Sequence, residues 1–258
     1  MSVERIMTKK VISIDKNRKL SDAINLMEKK RISRVAVTSD GNLCGILTEK
    51  DIIDHIGSSR HGQSSPSSLH ISTAMKSPVI SIEKDVSIRS AAKMMLKKGI
   101  SSLPILNERG LTGIVTKTDV VRTMDKSEEK LENIMKMGAI TVSENDRIVH
   151  ARRLMLDNKI RRVVVVDEGK IIGILTERGT AKAIFEFKQT SEGGHSSRIR
   201  KLLVKDAMTP GVITLDVKAR VKDALKVMTE NKFSGIPLTM RGKLVGIVTK
   251  TDILKIVK

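Results

Sequence analysis

Tryptophan and tyrosine are absent from this chain, and phenylalanine occurs only at Phe185, Phe187 and Phe233. Binders of single-stranded nucleic acid stack bases on aromatic side chains. With none to serve, any nucleic-acid contact has to run through phosphates and shape, which favours folded RNA or a duplex. Cysteine is nearly missing as well. Cys44 alone excludes an internal disulfide and a cysteine-based zinc cluster, and its place in Leu43-Cys44-Gly45-Ile46 predicts a small buried hydrophobe. No apolar run approaches the roughly 18 residues of a membrane span. Met1-Ser2-Val3-Glu4-Arg5 lacks the apolar core of a secretion signal, so a cytoplasmic location and no membrane partner are expected.

Catalytic signatures are missing too. The five histidines, His55, His61, His70, His150 and His195, form no His-Glu-x-x-His spacing, and there is neither a glycine-rich phosphate loop nor a Gly-x-Ser-x-Gly elbow. No enzymatic activity and no metal are expected. Acid is in short supply: 48 Lys and Arg face 29 Asp and Glu, a formal charge of +19. So one-sided a balance attracts polyanions, such as structured RNA, DNA or an anionic surface. A charge-rich, solvated surface is the alternative reading.

What the chain has instead is repetition. Gly45-Ile46-Leu47-Thr48-Glu49-Lys50-Asp51 recurs as Gly113-Ile114-Val115-Thr116-Lys117-Thr118-Asp119, as Gly173-Ile174-Leu175-Thr176-Glu177-Arg178-Gly179 and as Gly246-Ile247-Val248-Thr249-Lys250-Thr251-Asp252. A methionine precedes each glycine at one constant separation, at Met7, Met75, Met135 and Met208. The same frame holds Ala23, Ala91, Ala151 and Ala224 and, one helical turn on, Met27, Met95, Met155 and Met228. Marks kept in register without insertion make a fourfold internal repeat.

Each copy reads alike. In the first, Val11 to Ile14 is extended and a helix starts near Leu20, with Ala23, Leu26 and Met27 on one apolar stripe. Val35-Ala36-Val37 and Leu43 to Leu47 are strands around a tight turn at Ser39-Asp40-Gly41-Asn42, and a second helix begins near Glu49. Val79 to Ile82 is the matching first strand of the second copy, and Val163-Val164-Val165-Val166 is the most apolar central strand. A polar connector between His55 and His70, a short charged joint at 125–130 and a second polar connector from about Lys188 to Ser197 group the copies in pairs. The pairs span 1–125 (copies about 1–56 and 71–125) and 131–258 (about 131–187 and 201–258). A copy of roughly 55 residues is too small to bury its helix face alone, so pairing supplies the core.

Strand, helix, strand, strand, helix closing on Gly-Ile-Val-Thr-x-x-Asp resembles the CBS domain, named after cystathionine β-synthase, two of which form a Bateman module. The resemblance covers nearly the whole chain. It implies an α/β (α+β) fold of four CBS repeats paired into two modules, an arrangement similar to the gamma subunit of AMP-activated protein kinase. In that family the final Thr-x-x-Asp lies in a cleft between paired repeats, where the acid accepts both ribose hydroxyls of an adenine nucleotide and the threonine contacts sugar or phosphate. By position these are Thr48 and Asp51, Thr116 and Asp119, and Thr249 and Asp252. In repeat three Thr176 stays but Gly179 replaces the acid, so both the ribose carboxylate and the helix cap are expected to be lost there. A carboxylate can accept two hydroxyl protons at once, and helix-start N–H groups favour phosphate. Equally, Thr-x-x-Asp at a helix start is a capping box worth about 1 kcal/mol with no ligand.

The resemblance also implies phosphate-binding cations in the turn before the central strand. That turn reads Ser33-Arg34, Ser101-Ser102, Arg161-Arg162 and Ser234-Gly235. It singles out Arg34 and the Arg161-Arg162 pair, with repeat three lending arginine to a nucleotide held by repeat four; ordinary surface charge is the other reading. Adenine is expected against the first strands, at Ile12, Ile80, Ile140 and Ile213, positions that would be apolar core in any case.

The combined expectation is a non-enzymatic regulator that binds AMP, ADP or ATP in its clefts and contacts a polyanion, structured RNA or the ribosome foremost. The basic surface would comprise Lys29, Lys30 and Arg31 and above all the last repeat, with Arg198, Arg200, Lys201, Lys205, Lys218, Arg220, Lys222 and Lys226. Residues 191–258 hold fourteen Lys and Arg against six Asp and Glu. The alternative is a regulatory subunit whose partner is a protein, an enzyme or transporter; two chains stacking as a homodimer fits either.

Overall fold

The computed structural model describes residues 1–57, 67–190 and 201–257. The chain divides into two compact units, one of Met1–Asp125 with Ile253–Lys258 and one of Lys126–Asp252.

In unit one, repeat one carries β1 (Ser13–Asp15), α1 (Leu20–Lys30), β2 (Arg34–Ser39), β3 (Asn42–Thr48) and α2 (Glu49–Gly57). β1 runs parallel to β2, and β2 antiparallel to β3. Leu20, Ala23 and Met27 of α1 are buried, as spacing by whole turns requires. The hairpin turns on Asp40 and Gly41, both at positive φ (53° and 82°). That geometry matches the twist of the two strands and is where an X-Gly pair is favoured. Cys44 is only half-buried, its thiol 3.4 Å from the Val37 carbonyl. Repeat two has α3 (Ile88–Lys97), β4 (Ser102–Asn107), β5 (Gly110–Thr116) and α4 (Lys117–Arg122). Its expected first strand shrinks to a single parallel bridge between Ile82 and Ile105.

Unit two repeats the plan. Strands β6 (Lys136–Met137), β7 (Thr141–Val142), β8 (Arg162–Asp167), β9 (Lys170–Thr176) and helices α5 (Ile148–Asp157) and α6 (Glu177–Thr190) come first. Then follow β10 (Thr209–Pro210), β11 (Leu215–Asp216), the helix Val221–Glu230, β12 (Gly235–Met240) and β13 (Lys243–Thr249), and the helix Lys250–Lys255, whose residues from Ile253 on count with unit one. Val163, Val164 and Val165 of β8 are all buried, which suits a β-branched run covered on both faces. Helix α6 continues through Lys188 to Thr190, because Glu177 to Thr190 keeps its helical pattern past the expected connector; 191–197 lie outside the described residues.

The constant methionine–glycine separation has its explanation in an exchange within each pair. Sheet orders β10-β9-β8-β7 and β11-β12-β13-β6 place the segment leading each repeat on the hairpin of the other. In unit one Thr8 exchanges backbone hydrogen bonds with Ile114 (2.9 and 3.0 Å), and Lys76 with Ile46 (2.9 and 3.1 Å). Val3, Ile71, Leu131 and Val204, four residues before each lead methionine, are fully buried; Val204 joins the core of repeat three with Val163, Val165 and Leu175. Burying one such side chain stabilises by about 1.5–3 kcal/mol, so neither repeat of a pair is complete alone. The methionines lie over the glycines across the pair. A Cβ at Gly45 would stand 2.5 Å from Met75 Sδ, at Gly113 2.6 Å from Met7 Sδ, and at Gly173 2.6 Å from Met208 Sδ. At Gly246 it would meet the Lys136 carbonyl oxygen.

Candidate functional site

Each of the four threonine turns, three of them Thr-x-x-Asp and that of repeat three Thr-x-x-Gly, is tied to the turn before its central strand. The first helical N–H donates to the carbonyl just ahead of that strand: Glu49 to Ser33 (3.1 Å), Lys117 to Ser101 (3.0 Å), Glu177 to Arg161 (3.0 Å) and Lys250 to Ser234 (3.1 Å). Hairpin pairing of the strand's two ends makes this unavoidable, since Arg34 sits across from Thr48 and Ser102 across from Thr116. The family's two sets of candidate residues therefore converge at one place in every repeat.

The acids cap their own helices. Asp51 Oδ2 accepts the Thr48 N–H at 2.9 Å and the Thr48 hydroxyl. Asp119 Oδ2 accepts from Thr116 N and Oγ1 (2.8 and 2.7 Å), and Asp252 Oδ2 from Thr249 N and Oγ1 (3.0 and 2.6 Å). One oxygen of each carboxylate is thereby used; the acids differ in what surrounds the rest. Asp51 is 7% exposed, with Lys76 Nζ 3.3 Å from its Oδ1, and Asp252 is 1% exposed. Asp119 is half-buried and borders an open hollow of about 280 Å³ with Ile6, Arg122 and Thr123. That is just below the range of about 300–1,000 Å³ for ligand sites. In repeat three half of the cap survives the loss of the acid, contrary to expectation, because Gly179 N–H still donates to Thr176 Oγ1 (3.0 Å). A Cβ at Gly179 would stand 2.8 Å from the Ala207 carbonyl oxygen.

The arginines cross the pairs. Arg34 Nη1 donates to Ser101 Oγ at 3.0 Å, and Arg162 Nη2 to Ser234 Oγ at 2.6 Å. Arg162 also lies over Gly235, where a Cβ would meet its Nη1. Burial and the charge of Arg161 push the Arg162 guanidinium down to about 10, against an opposite pull from Asp252. Arg161 stays with its own repeat, 3.9 Å from Glu177 on the surface.

Of the expected adenine positions, Ile140 packs against the core of repeat three and the others do not lie in a core. Ile80 and Ile213 are each 37% exposed, and Ile12 and Ile140 are half-buried. They come just before the first strands, which lie at the sheet margins in repeats one, three and four. Of the basic set, Lys29, Lys30, Arg31, Lys201, Lys205, Lys218, Arg220 and Lys226 are exposed, and Arg198 and Arg200 lie outside the described residues. Two of them have an acid of their own: Glu128 pairs with Arg220 (2.7 Å) and Lys222 (2.5 Å). The residues that pattern-reading missed are Ser101 and Ser234, which receive the arginines, and Arg122, one turn after Asp119. Their signal was their place in the repeat frame. Among the described residues no cluster of His, Cys, Asp or Glu could hold a metal, and no helix is long and apolar enough to cross a membrane.

The description "CBS domain" matches at residues 3–58, 70–126, 131–186 and 204–258. Protein MJ1404 of Methanocaldococcus jannaschii is 31% identical over 266 residues, and the match covers 98% of this chain but 61% of that protein. Protein MJ1225 of the same organism is 26% identical over 269 residues, covering 96% of this chain and 95% of its own. The crystal structure of MJ1225, described as a suggested archaeal homolog of γ-AMPK, matches 99% of both chains with a TM-score of 0.86 at 24% identity. An uncharacterized protein from Pyrococcus horikoshii matches along the full length of both chains with a TM-score of 0.68 at 20% identity, a likeness of fold. Four matches of one family cover most of the chain, and the exchange of lead segments pairs them two by two: the chain belongs to the CBS-domain family, as four CBS repeats.

Proposed function

We propose that the chain is a non-enzymatic regulator whose ligand is an adenine nucleotide held in repeat two. Thr116 and Asp119 take the ribose, and Arg34 of repeat one takes a phosphate. The observation that carries this reading is the delivery of Arg34 across the pair to Ser101, at the helix start whose aspartate borders an open hollow. A sugar diol calls for a carboxylate and a phosphate for a guanidinium; here they share one turn. Arg122 supplies a second cation at the hollow. Exposed Ile80 offers an apolar face to the base. Arg162 reaches repeat four in the same way, but Asp252 there must first be uncovered. AMP, ADP or ATP regulates only by binding two arrangements of the protein unequally.

Without Trp or Tyr the polypeptide absorbs almost nothing near 280 nm, so a 260 nm band in the purified protein, followed by mass spectrometry, reveals a carried nucleotide. Asp119→Ala should weaken nucleotide binding about tenfold or more, a cost of roughly 1.4 kcal/mol. Unchanged affinity overturns the assignment.

A polyanion contact, structured RNA or the ribosome, is a second reading, favoured by one feature of unit one. The Arg34–Ser101 bond joins the turns that follow α1 and α3, and the ends of these helices carry exposed Lys29, Lys30, Arg31, Lys97 and Lys98, which make no ion pair among the described residues. The alternative output is a protein partner. A pull-down treated with nuclease separates them: an RNA partner is lost on digestion and falls away steeply with salt, whereas a protein partner survives.

A further inference from the structure

Asp51 and Asp119 occupy the same place in neighbouring repeats, yet one is enclosed and the other borders a hollow. The two turns also differ in the residue after the lead methionine that faces them. That residue pairs with the strand just before the threonine turn of the other repeat: Thr8 with Ile114, Lys76 with Ile46, Lys136 with Ile247 and Thr209 with Ile174. It is therefore set facing that turn. Lys76 uses the position to place Nζ 3.3 Å from Asp51 Oδ1, while Oδ2 is taken by Thr48, so both oxygens are engaged. Thr8 stands in the same register against repeat two and brings no charge to Asp119. Lys136 stands in that register against repeat four but makes no ion pair with Asp252 among the described residues; Asp252 is closed by burial at 1% exposure. Thr209 stands against repeat three, which has Gly179 in place of the acid.

We propose that this position is a gate. At repeat one Lys76 holds the acid as a tethered cation and keeps the turn from taking a sugar, whereas the threonine at repeat two leaves its turn open; Asp252 of repeat four is shut by burial. Of the four turns, repeat two alone combines an acid with threonine at the gate, so the chain binds one nucleotide. This rests on the nucleotide reading of Asp119. The competition is simple: a ribose diol must donate to the oxygens that the ammonium group already holds. Two backbone hydrogen bonds to Ile46 fix the main chain of Lys76 beside them, so its ammonium group competes at a local concentration that a dissolved ligand does not match. Repeat three has the open gate but no carboxylate, and the Ala207 carbonyl crowds any side chain at Gly179.

Thr8 and Lys76 are both exposed, so exchanging them leaves the core untouched. Calorimetric titration of the full chain with AMP, ADP and ATP should give one site per chain. Thr8→Lys should weaken that site about tenfold or more, and Lys76→Thr should add a second binding event, with circular dichroism showing both variants folded. Two or more sites in the unchanged chain, full affinity in Thr8→Lys, or a single site in Lys76→Thr each overturn the gate while the nucleotide reading stands. Failure of all three nucleotides to bind the unchanged chain overturns that reading, and the gate with it.

Discussion

Arg34 and Arg162 leave the same place in their repeats and end on the same kind of hydroxyl, but the two units make different use of them. In unit one the residue after the receiving serine is Ser102, and the acid nearby, Asp119, keeps an open side. In unit two that residue is Gly235, the guanidinium fills the room of the missing side chain, and Asp252 is 1% exposed. Paired repeats thus fix where cation and acid meet without fixing what fills the space between them. An internal arginine can occupy what a ligand occupies elsewhere, at the cost of desolvating its charge.

The largest expected effect tests how rigidly each unit holds its exchanged lead. A methyl at Gly246 meets a backbone carbonyl, that of Lys136, whereas a methyl at Gly45 meets the flexible end of Met75. Gly246→Ala should therefore destabilise by about 2–4 kcal/mol and Gly45→Ala by about 1 kcal/mol, read from denaturant unfolding. Equal losses would mean that Met75 is as immovable as a main chain, and the units would then be alike in this respect.

A smaller effect of opposite sign comes from Thr180. The position is Ile52, Val120 and Ile253 in the other repeats, all buried apolar side chains, while Thr180 is 3% exposed and its hydroxyl finds no partner among the described residues. Thr180→Val should stabilise by about 1 kcal/mol, since an unmet buried hydroxyl is removed at nearly constant shape. A loss of stability on thermal unfolding would show that the hydroxyl has a partner after all.

The repeat frame made the fold legible, because each mark sits at a position that packing demands: Ala23 and Met27 on the buried stripe of α1, and Gly45 under a sulfur. Its direction was not legible. Met7 and Gly45 recur together in sequence, yet Met7 lies on Gly113, since only the assembled pair shows which hairpin a lead segment joins. The threonine and acid of each turn could be placed but not their state, because capping box and sugar clamp use the same residues and differ in the second carboxylate oxygen. Ile80 and Ile213 looked like core because apolar type alone carries no information about a sheet margin. The surplus of lysine and arginine after residue 191 pointed to repeat four, but pairing is a spatial property, and Glu128 lies far back in the sequence.

Glu128 sets the smallest effect and the sharpest test of where the positive surface lies. A hydrogen bond from Lys222, followed by the charges of Arg220 and Lys222, holds its carboxyl below the ordinary 4.5, outweighing burial, which acts the other way. A carboxylate depressed in the folded state contributes stability above its unfolded value, and that contribution is lost as pH falls through the folded value. The stability difference between the unchanged chain and Glu128→Gln should accordingly be present at neutral pH, be small as exposed pairs are, and vanish below the folded value. At neutral pH the same substitution releases Arg220 and Lys222, so the salt needed to elute the protein from heparin should rise slightly. The double change Lys29→Gln and Lys30→Gln should lower it by more, because those side chains are already unpaired among the described residues. If Glu128→Gln shifts elution and the lysine pair does not, the anion-facing surface belongs to unit two, and the comparison between the units reverses.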